Sequence, residues 1–463
     1  SAKVLPFSDS TKLLEKFFIR ISKKSIFRVV FLPFYTNNGL IMLYLYQFYI
    51  YKTKTNYIMK RVYLFLFLFV MQISLSVWSQ SIKCIVEGTT DDKSTTEMYI
   101  VEADADLRMM DNILSAPVVD GRFSYVLEID TLRYCSLIPN NQYAEGSWTS
   151  ANFIAEPQTV KIAFDGDNVV VNGNGKEQQM ESIYNKVLED RFLPLFASLE
   201  SKRDSVENII KAKKAEMSKE DQQQFIKEFS SKNSSDTLVS LYNNINKVYE
   251  EASFDQQTAG IEWLYSHPCF FGLAKIKSCL NFAGAEDPTI QDYIQSYKTI
   301  YNKQIPGHPY HENILDIISS KELKVGNKYI DYPISDADDN ILNLSSLCKG
   351  KIILVALWAS WCGPCRRKSK QIIPLYNEYK DKGFQVIAIA RERKKEHMLQ
   401  AIAKDGYPWQ SYLDLKDQNR VWQKNGVNNA GGITFLISSD ATILAVNPTA
   451  QEIATILKER LEK

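Results

Sequence analysis

"LWASWCGPCRRKSK", Leu357 to Lys370, decides how the chain is read. Two cysteines, Cys362 and Cys365, stand two residues apart behind Trp361. An unbroken apolar run, "KIILVALW" (Lys351–Trp358), leads into them and has the character of a central strand. Cys365 to Tyr379 has helical character, so the cysteines fall where a strand ends and a helix begins. The first amides of a helix are unpaired and the macrodipole is positive there, which stabilises a thiolate. Pro364 suits the first helical turn, where its missing N–H is not needed. This assigns Cys362 as the attacking thiol. Cys365, one turn further in, is the resolving thiol that releases reduced product. Trp358 and Trp361 would wall the sulfurs with apolar surface.

The flanking sequence continues the alternation. "FQVIAIA" is a second buried strand, and "HMLQAIAKDG" a second helix ending at Gly406. "ITFLIS" and "ATILAV" form a hairpin around "SDAT", and "TAQEIATILKERLEK" closes as an amphipathic helix. The order is β-α-β-α-β-β-α, with an extra hairpin ahead of it in "YIDYPISDADDNILNLSSL". A CxxC within such a βαβ pattern is the thioredoxin signature. Residues 323–463 are therefore expected to form an α/β thioredoxin-like domain.

The chain is longer than this one domain: 463 residues, 45% hydrophobic and 24% charged. A net charge of +1 gives no reason to expect nucleic acid as a partner. Seven cysteines and four histidines, at these spacings, make neither a disulfide-stapled scaffold nor a zinc site. His308 and His311 are three apart around Pro309, where a helix is not expected, so no metal and no cofactor is assigned. Residues 81–180 read as β: "IKCIVEG", "EMYIVEA", "GRFSYVLEI", "YCSLIP", "ANFIAE", "TVKIAF" and "NVVVNG" are short and separated by turn residues, as in a sandwich or small barrel. No catalytic constellation is visible there. Residues 181–322 read as four to six helices, with Ile183, Val187, Phe192 and Leu195 at roughly helical spacing and Ser218 opening a helix. Cys84 and Cys135, or Cys269 and Cys279, are either disulfides or buried thiols.

The start of the chain has a different character. "MKRVYLFLFLFVMQISLSVWSQS", from Met59, has a charged start, an apolar core and small residues at Val77 and Ser79, the layout of a signal peptide over 59–79. The bland alternative is an uncleaved anchor. Residues 1–58 carry 9 basic and 2 acidic residues with no clean period, and read as translated upstream sequence. Export would place the remainder in the periplasm or cell envelope, where disulfides persist.

Residues 323–463 resemble the extracytoplasmic TlpA/ResA-type thioredoxin-like family. The likeness rests on "GKIILVALWASWCGPCR", "GFQVIAIARERKKEHMLQAIAKDGYPW" and "NGVNNAGGITFLISSD". "VVDGRFSY" and "FIAEPQTVKIAF" resemble the β domain that precedes such domains in Bacteroidetes envelope proteins, and "EWLYSHPCFFGLAKI" resembles their helical spacer. The resemblance implies reduction of protein disulfides in the envelope, with a membrane-bound electron donor as the second partner. It implies Trp361, Gly363, Pro364, Gly431, Gly432 and Ile433 as the substrate-binding surface around Cys362 and Cys365. Several positions depart from the family. Gly432, preceded by Gly431, stands where a cis-proline is usual. Ala356 replaces a buried acid, Lys368 a Glu, and Lys370 a helix proline, with Pro374 further on. Without the carboxylates, Cys365 lacks an obvious proton acceptor. Arg366, Arg367, Lys368 and Lys370 are expected to lower the Cys362 pKa and make the pair less reducing than thioredoxin. A second reading is an envelope binding or scaffold protein with a weakly active domain. A peroxiredoxin-like reading lacks its usual Thr ahead of the cysteine and has no use for CxxC.

Overall fold

The computed structural model describes residues 28–36, 39–47, 81–229, 237–284, 287–429 and 431–462. The chain divides into two compact units, Ser1–Gln80 and Ser81–Lys463. In the first, β1 (Arg28–Thr36) pairs antiparallel with β2 (Gly39–Gln47), in a region where the sequence shows no clean period. The expected signal peptide, 59–79, lies outside the described residues. Among those described, no helix is long and apolar enough to cross a membrane.

The second unit begins with a β domain. Its strands are β3 (Ile82–Thr90), β4 (Glu97–Glu102), β5 (Leu114–Val119), β6 (Arg122–Ile129), β7 (Arg133–Pro139), β8 (Ala151–Ala155), β9 (Gln158–Asp165) and β10 (Asn168–Gly173), with a short helix α1 (Asn140–Glu145) after β7. They form one sheet in the order β10-β9-β3-β6-β5-β4-β7-β8, curled until its end strands β8 and β10 approach each other. Val160, Ile162 and Phe164 alternate inward on β9 and meet Val86, Phe123, Leu137 and Phe153 in the core. β5 is the strand sequence reading missed. "LSAPVV" contains Pro117, which argues against a strand, yet the Asp120–Gly121 turn with both φ positive folds it back on β6.

Among the described residues six α-helices follow: α2 (Lys176–Ala215), α3 (Lys219–Phe229), α4 (Thr237–Ser266), α5 (Phe270–Phe282), α6 (Ile290–Thr299) and α7 (Tyr310–Ser320). At 1.5 Å per residue α2 spans about 60 Å. Its period is helical as expected, but the inward face differs. Tyr184, Leu188, Phe192 and Leu199 are buried, whereas Ile183, Val187 and Leu195 are exposed. Tyr184 stacks edge-on against Trp263 and Phe271, and that aromatic contact sets the rotation of the helix. Ser218 Oγ accepts the Asp221 N–H at 3.2 Å and so opens α3. Pro309 does not exclude a helix. It stands immediately ahead of α7, where no N–H is required. His308 meets the Leu132 carbonyl at 3.0 Å, and His311 the Gln304 carbonyl at 2.8 Å and Tyr297 Oη at 3.1 Å. Among the described residues no cluster of His, Cys, Asp and Glu could hold a metal.

The last domain holds β11 (Pro333–Ser335), β12 (Ile341–Asn343), α8 (Leu344–Leu347), β13 (Ile352–Trp358), α9 (Gly363–Tyr379), β14 (Phe384–Glu392), α10 (Lys395–Asp405), β15 (Ser411–Leu415), α11 (Val421–Lys424), β16 (Thr434–Ile437), β17 (Ile443–Val446) and α12 (Ala450–Leu461). The strand order is β12-β11-β15-β14-β13-β16-β17, with β13 parallel to β14 and antiparallel to β16. β13 is buried along its whole length because both sheet faces are covered: Ile353, Val355 and Leu357 enter one core, Ile352, Leu354 and Trp358 the other. This is a thioredoxin fold, and the N-terminal hairpin is β11–β12. β15 and α11 were not anticipated. "SYLDL" is short and carries Asp414, whose polar side chain breaks the apolar run.

Asp414 is fully buried. Its oxygens accept the N–H groups of Asn419 at 2.9 Å and Val421 at 2.8 Å, holding the turn after β15. Burial nevertheless pushes its carboxyl up to about 6. A folded pKa above the unfolded one means that its stability contribution is complete at low pH and is lost as pH rises through about 6. A shift of about two units corresponds to at most about 3 kcal/mol. Denaturation of wild type and Asp414→Asn from about pH 4 to 7 should show the wild-type advantage shrinking by roughly 1–3 kcal/mol. A difference that stays flat over this range is the contrary result.

Candidate active site

The turn after β13 places Cys362 at the N-cap of α9. Its Sγ accepts the Cys365 N–H at 3.3 Å, so a helix amide points at the first sulfur. Pro364 lies in the first helical turn. The sulfurs are joined as a disulfide with Cα atoms 5.3 Å apart. Cys362 is 5% exposed and Cys365 packs against the core that contains Trp358. The two tryptophans have different places. Trp358 is in the core behind the pair, and Trp361 is 36% exposed at its rim.

Gly431 and Gly432 face the sulfurs from the segment before β16. The Gly432 N–H donates to Cys365 Sγ at 3.2 Å, so the innermost sulfur has a donor that a proline could not supply. A Cβ on Gly432 would lie under 3.0 Å from the Leu357 carbonyl oxygen, so glycine is required by close approach of two backbones. A Cβ on Gly431 would stand 3.4 Å from Cys362 Sγ and 3.8 Å from Cys365 Sγ. Among the described residues no peptide bond is cis. Gly363 is exposed beside the sulfurs. Ile433 differs from its expected substrate role in one respect. Its carbonyl already accepts the Leu357 N–H at 2.9 Å as the sheet begins, so that acceptor is engaged.

The four cations on α9 are not equivalent. Arg366 Nε and Nη2 donate to Asp405 at 2.6 and 2.9 Å, and Lys370 Nζ lies 2.9 Å from the same carboxylate. Hydrogen bonding from Arg366, then Lys370 and Tyr407, holds the Asp405 carboxyl well below the usual range despite its burial. Two of the expected cations therefore share one carboxylate, 39 positions from Arg366 in the chain, which offsets one of their two charges. Lys368 turns inward to Thr434 Oγ1 at 2.9 Å and to Asn447. Burial lowers its ammonium pKa, with Glu452 pulling the other way. Arg367 is exposed beside Gly363. Behind Cys365 a cavity of about 20 Å³ is bounded by Trp358, Lys368, Trp409, Gly432 and Thr434, room for one water and not for a ligand.

Two contributors escape sequence reading. Glu392, fully buried at the end of β14, accepts the Ser360 hydroxyl at 2.9 Å and the Ser360 amide, fixing the turn that carries Trp361 and Cys362. Burial raises its carboxyl pKa against the pull of those hydrogen bonds. The available signal was an acid at the carboxyl end of the strand beside the CxxC strand. The other is Arg108 of the β domain, whose guanidinium lies 3.9 Å from the Trp361 ring centroid. It also bonds Asn429, 321 positions away, and no local pattern announces a contact of that range.

The other five cysteines are unbridged. Burial pushes the thiols of Cys84, Cys269 and Cys348 up to about 11 and that of Cys135 further. Cys269 is used structurally, its Sγ accepting the Gly272 N–H at 3.4 Å at the start of α5.

Residues 325–446 match the AhpC/TSA family. The chain is 25% identical over 144 residues to thiol-disulfide oxidoreductase ResA of Bacillus thuringiensis, an alignment that covers 31% of this chain and 77% of that protein. It is 32% identical over 75 residues to ResA of Oceanobacillus iheyensis, 15% of this chain and 38% of that one. Among solved structures, the thioredoxin domain of a thiol-disulfide oxidoreductase from Bacteroides vulgatus aligns at 24% identity with a TM-score of 0.28, covering 30% of this chain and 99% of its own.

Proposed function

We propose that this chain, whose C-terminal domain is a thioredoxin-like domain of the AhpC/TSA type, is an extracytoplasmic thiol–disulfide oxidoreductase acting on protein disulfides. The observation that carries the reading is Cys362 at the start of α9, receiving a helix amide and covalently paired with Cys365. In the reduced enzyme the Cys362 thiolate attacks one sulfur of a substrate disulfide. A mixed disulfide forms, and the other substrate sulfur leaves as a thiolate and takes a proton from water. Cys365 gives up its proton to solvent and attacks Cys362 Sγ, and the second substrate thiolate departs. The Gly432 N–H stabilises negative charge on Cys365 as that proton leaves. The product is the enzyme disulfide, returned to dithiol by two electrons from a membrane-bound donor.

Trp361, Gly363, Pro364, Gly431 and Gly432 form the substrate surface, and Ile433 supports it from the sheet. Export by residues 59–79 would bring the site to the periplasm or envelope. The potential is expected to be less reducing than thioredoxin's. Arg367, Lys368 and the one charge left over where Arg366 and Lys370 share Asp405 carry that effect. Equilibration in graded glutathione buffers measures it, and a value at or below thioredoxin's contradicts it.

The test is insulin reduction by the full chain with a dithiol donor, together with Cys365→Ser in the periplasm. The variant should accumulate mixed disulfides with envelope proteins. If it captures none and wild type leaves insulin intact, the molecule is a binding or scaffold protein instead.

A further inference from the structure

The β domain reaches the rim of the site, and one of its side chains joins both walls. Arg108 sits in a single 3-10 turn, Leu107–Met109, on the connection between β4 and β5. Its guanidinium stacks on Trp361 at 3.9 Å, while its Nη2 donates to the Asn429 carbonyl at 2.7 Å. Trp361 immediately precedes Cys362, and Asn429 lies two residues ahead of Gly431. The side chain therefore bridges the cysteine turn and the glycine segment, the two surfaces between which a substrate chain has to enter.

The guanidinium is also held from the β-domain side. Asp106 accepts Arg108 Nε at 2.8 Å and Nη2 at 2.7 Å, and also Arg391 Nη1 at 2.8 Å. Arg391 is 3% exposed and is held from its other side by Asp417, with Nε at 2.6 Å. Burial opposes the Asp106 charge, but hydrogen bonds from Arg108 and the charges of Arg391 and Arg108 outweigh it. The Asn429 side-chain amide donates to the Asp104 carbonyl at 3.2 Å, Arg393 donates to the Met110 carbonyl at 3.3 Å, and Lys416 pairs with Asp111. Breaking a buried, hydrogen-bonded ion pair is costly. Of the two arginines on Asp106, Arg108 is 39% exposed and Arg391 is 3% exposed, so Arg108 is the one whose displacement costs less. Swinging off Trp361 costs the Arg108 guanidinium its own hydrogen bonds to Asp106, while Arg391 keeps Asp106 paired and in place.

We propose that Arg108 determines specificity: supplied by the β domain, it latches across the cleft and limits which disulfides reach Cys362. This deepens the oxidoreductase reading, since it rests on Cys362 as the attacking sulfur. Small disulfides pass beside the latch, and bulky ones must displace Arg108 from Trp361. The latch itself makes and breaks no covalent bond.

The reduced full-length protein is alkylated at one pH with iodoacetamide and with a maleimide bearing a polyethylene glycol chain, each followed at Cys362 by peptide mass. The ratio of the two rates cancels the thiolate fraction, so loss of a nearby charge alone leaves it unmoved. Arg108→Ala is expected to raise the bulky-to-small ratio about fivefold by populating the open arrangement. Arg108→Lys keeps a long cationic side chain but loses the planar fork that spans Trp361 and Asn429, and should give a smaller rise. A ratio equal to wild type in both variants overturns the proposal. A raised ratio in variants that, like wild type, leave insulin intact upholds the latch and removes the oxidoreductase reading.

Discussion

Gly432→Ala lowers stability by roughly 3 kcal/mol or more and disturbs the junction of β13 with β16. The added Cβ would lie under 3.0 Å from the Leu357 carbonyl and 3.1 Å from the Trp358 N, and every one of these atoms is backbone. No rotamer change relieves such a clash. Either β16 retreats and the Leu357–Ile433 hydrogen bond of 2.9 Å is lost, or the turn bearing the cysteines opens. Gly432→Pro meets the same obstacle in a trans backbone and also removes the N–H that reaches Cys365 Sγ. Restoring the proline usual in the resembling family therefore does not restore a family-like site. Gly431→Ala serves as the comparison, since its Cβ would stand 3.4 Å from Cys362 Sγ and needs only a small adjustment. Thermal unfolding of the variants decides the matter. A Gly432→Ala protein within about 1 kcal/mol of wild type shows that the segment has slack the packing denies.

Cys362→Ser removes turnover, with insulin reduction down at least about a thousandfold, because a hydroxyl at the same N-cap is not ionised near neutral pH. The fold tolerates the change well, since serine is among the best N-cap residues and can accept the same amide. Stability and activity thus separate at this position. Cys365→Ser behaves differently: the first attack survives and catalysis halts at the mixed disulfide. Equal single-turnover attack by wild type and Cys362→Ser on a disulfide reagent, read at this site by mass, contradicts the assignment of the nucleophile.

The thioredoxin-like part was legible because its signals are local. A strand buried on both faces reads as continuous apolar sequence, and β13 does so. Gly406, φ +72°, closes α10 where glycine was expected to. What escaped depended on distant partners. The rotation of α2 follows from aromatic packing against α4 and α5, and Ile183 and Tyr184 are adjacent in sequence with opposite fates. β5 owes its place to the turn beyond it and to pairing with β4, not to its own composition. At the site, both cysteines, the helix start and the glycine segment follow from sequence. The sharing of Asp405 by Arg366 and Lys370, the Glu392 clamp on Ser360 and the approach of Arg108 do not. Each joins residues that only the tertiary fold brings together.

The deeply placed sulfurs of Cys84, Cys135, Cys269 and Cys348 have a practical consequence for anyone handling the native protein. Protonated near neutral pH and shielded by packing, they stay silent toward dyes and oxidants that seek thiolates. A colorimetric thiol count before and after mild reduction then reports the redox state of one pair, with Cys279 as the only background to subtract, and no cysteine-free engineering is required first.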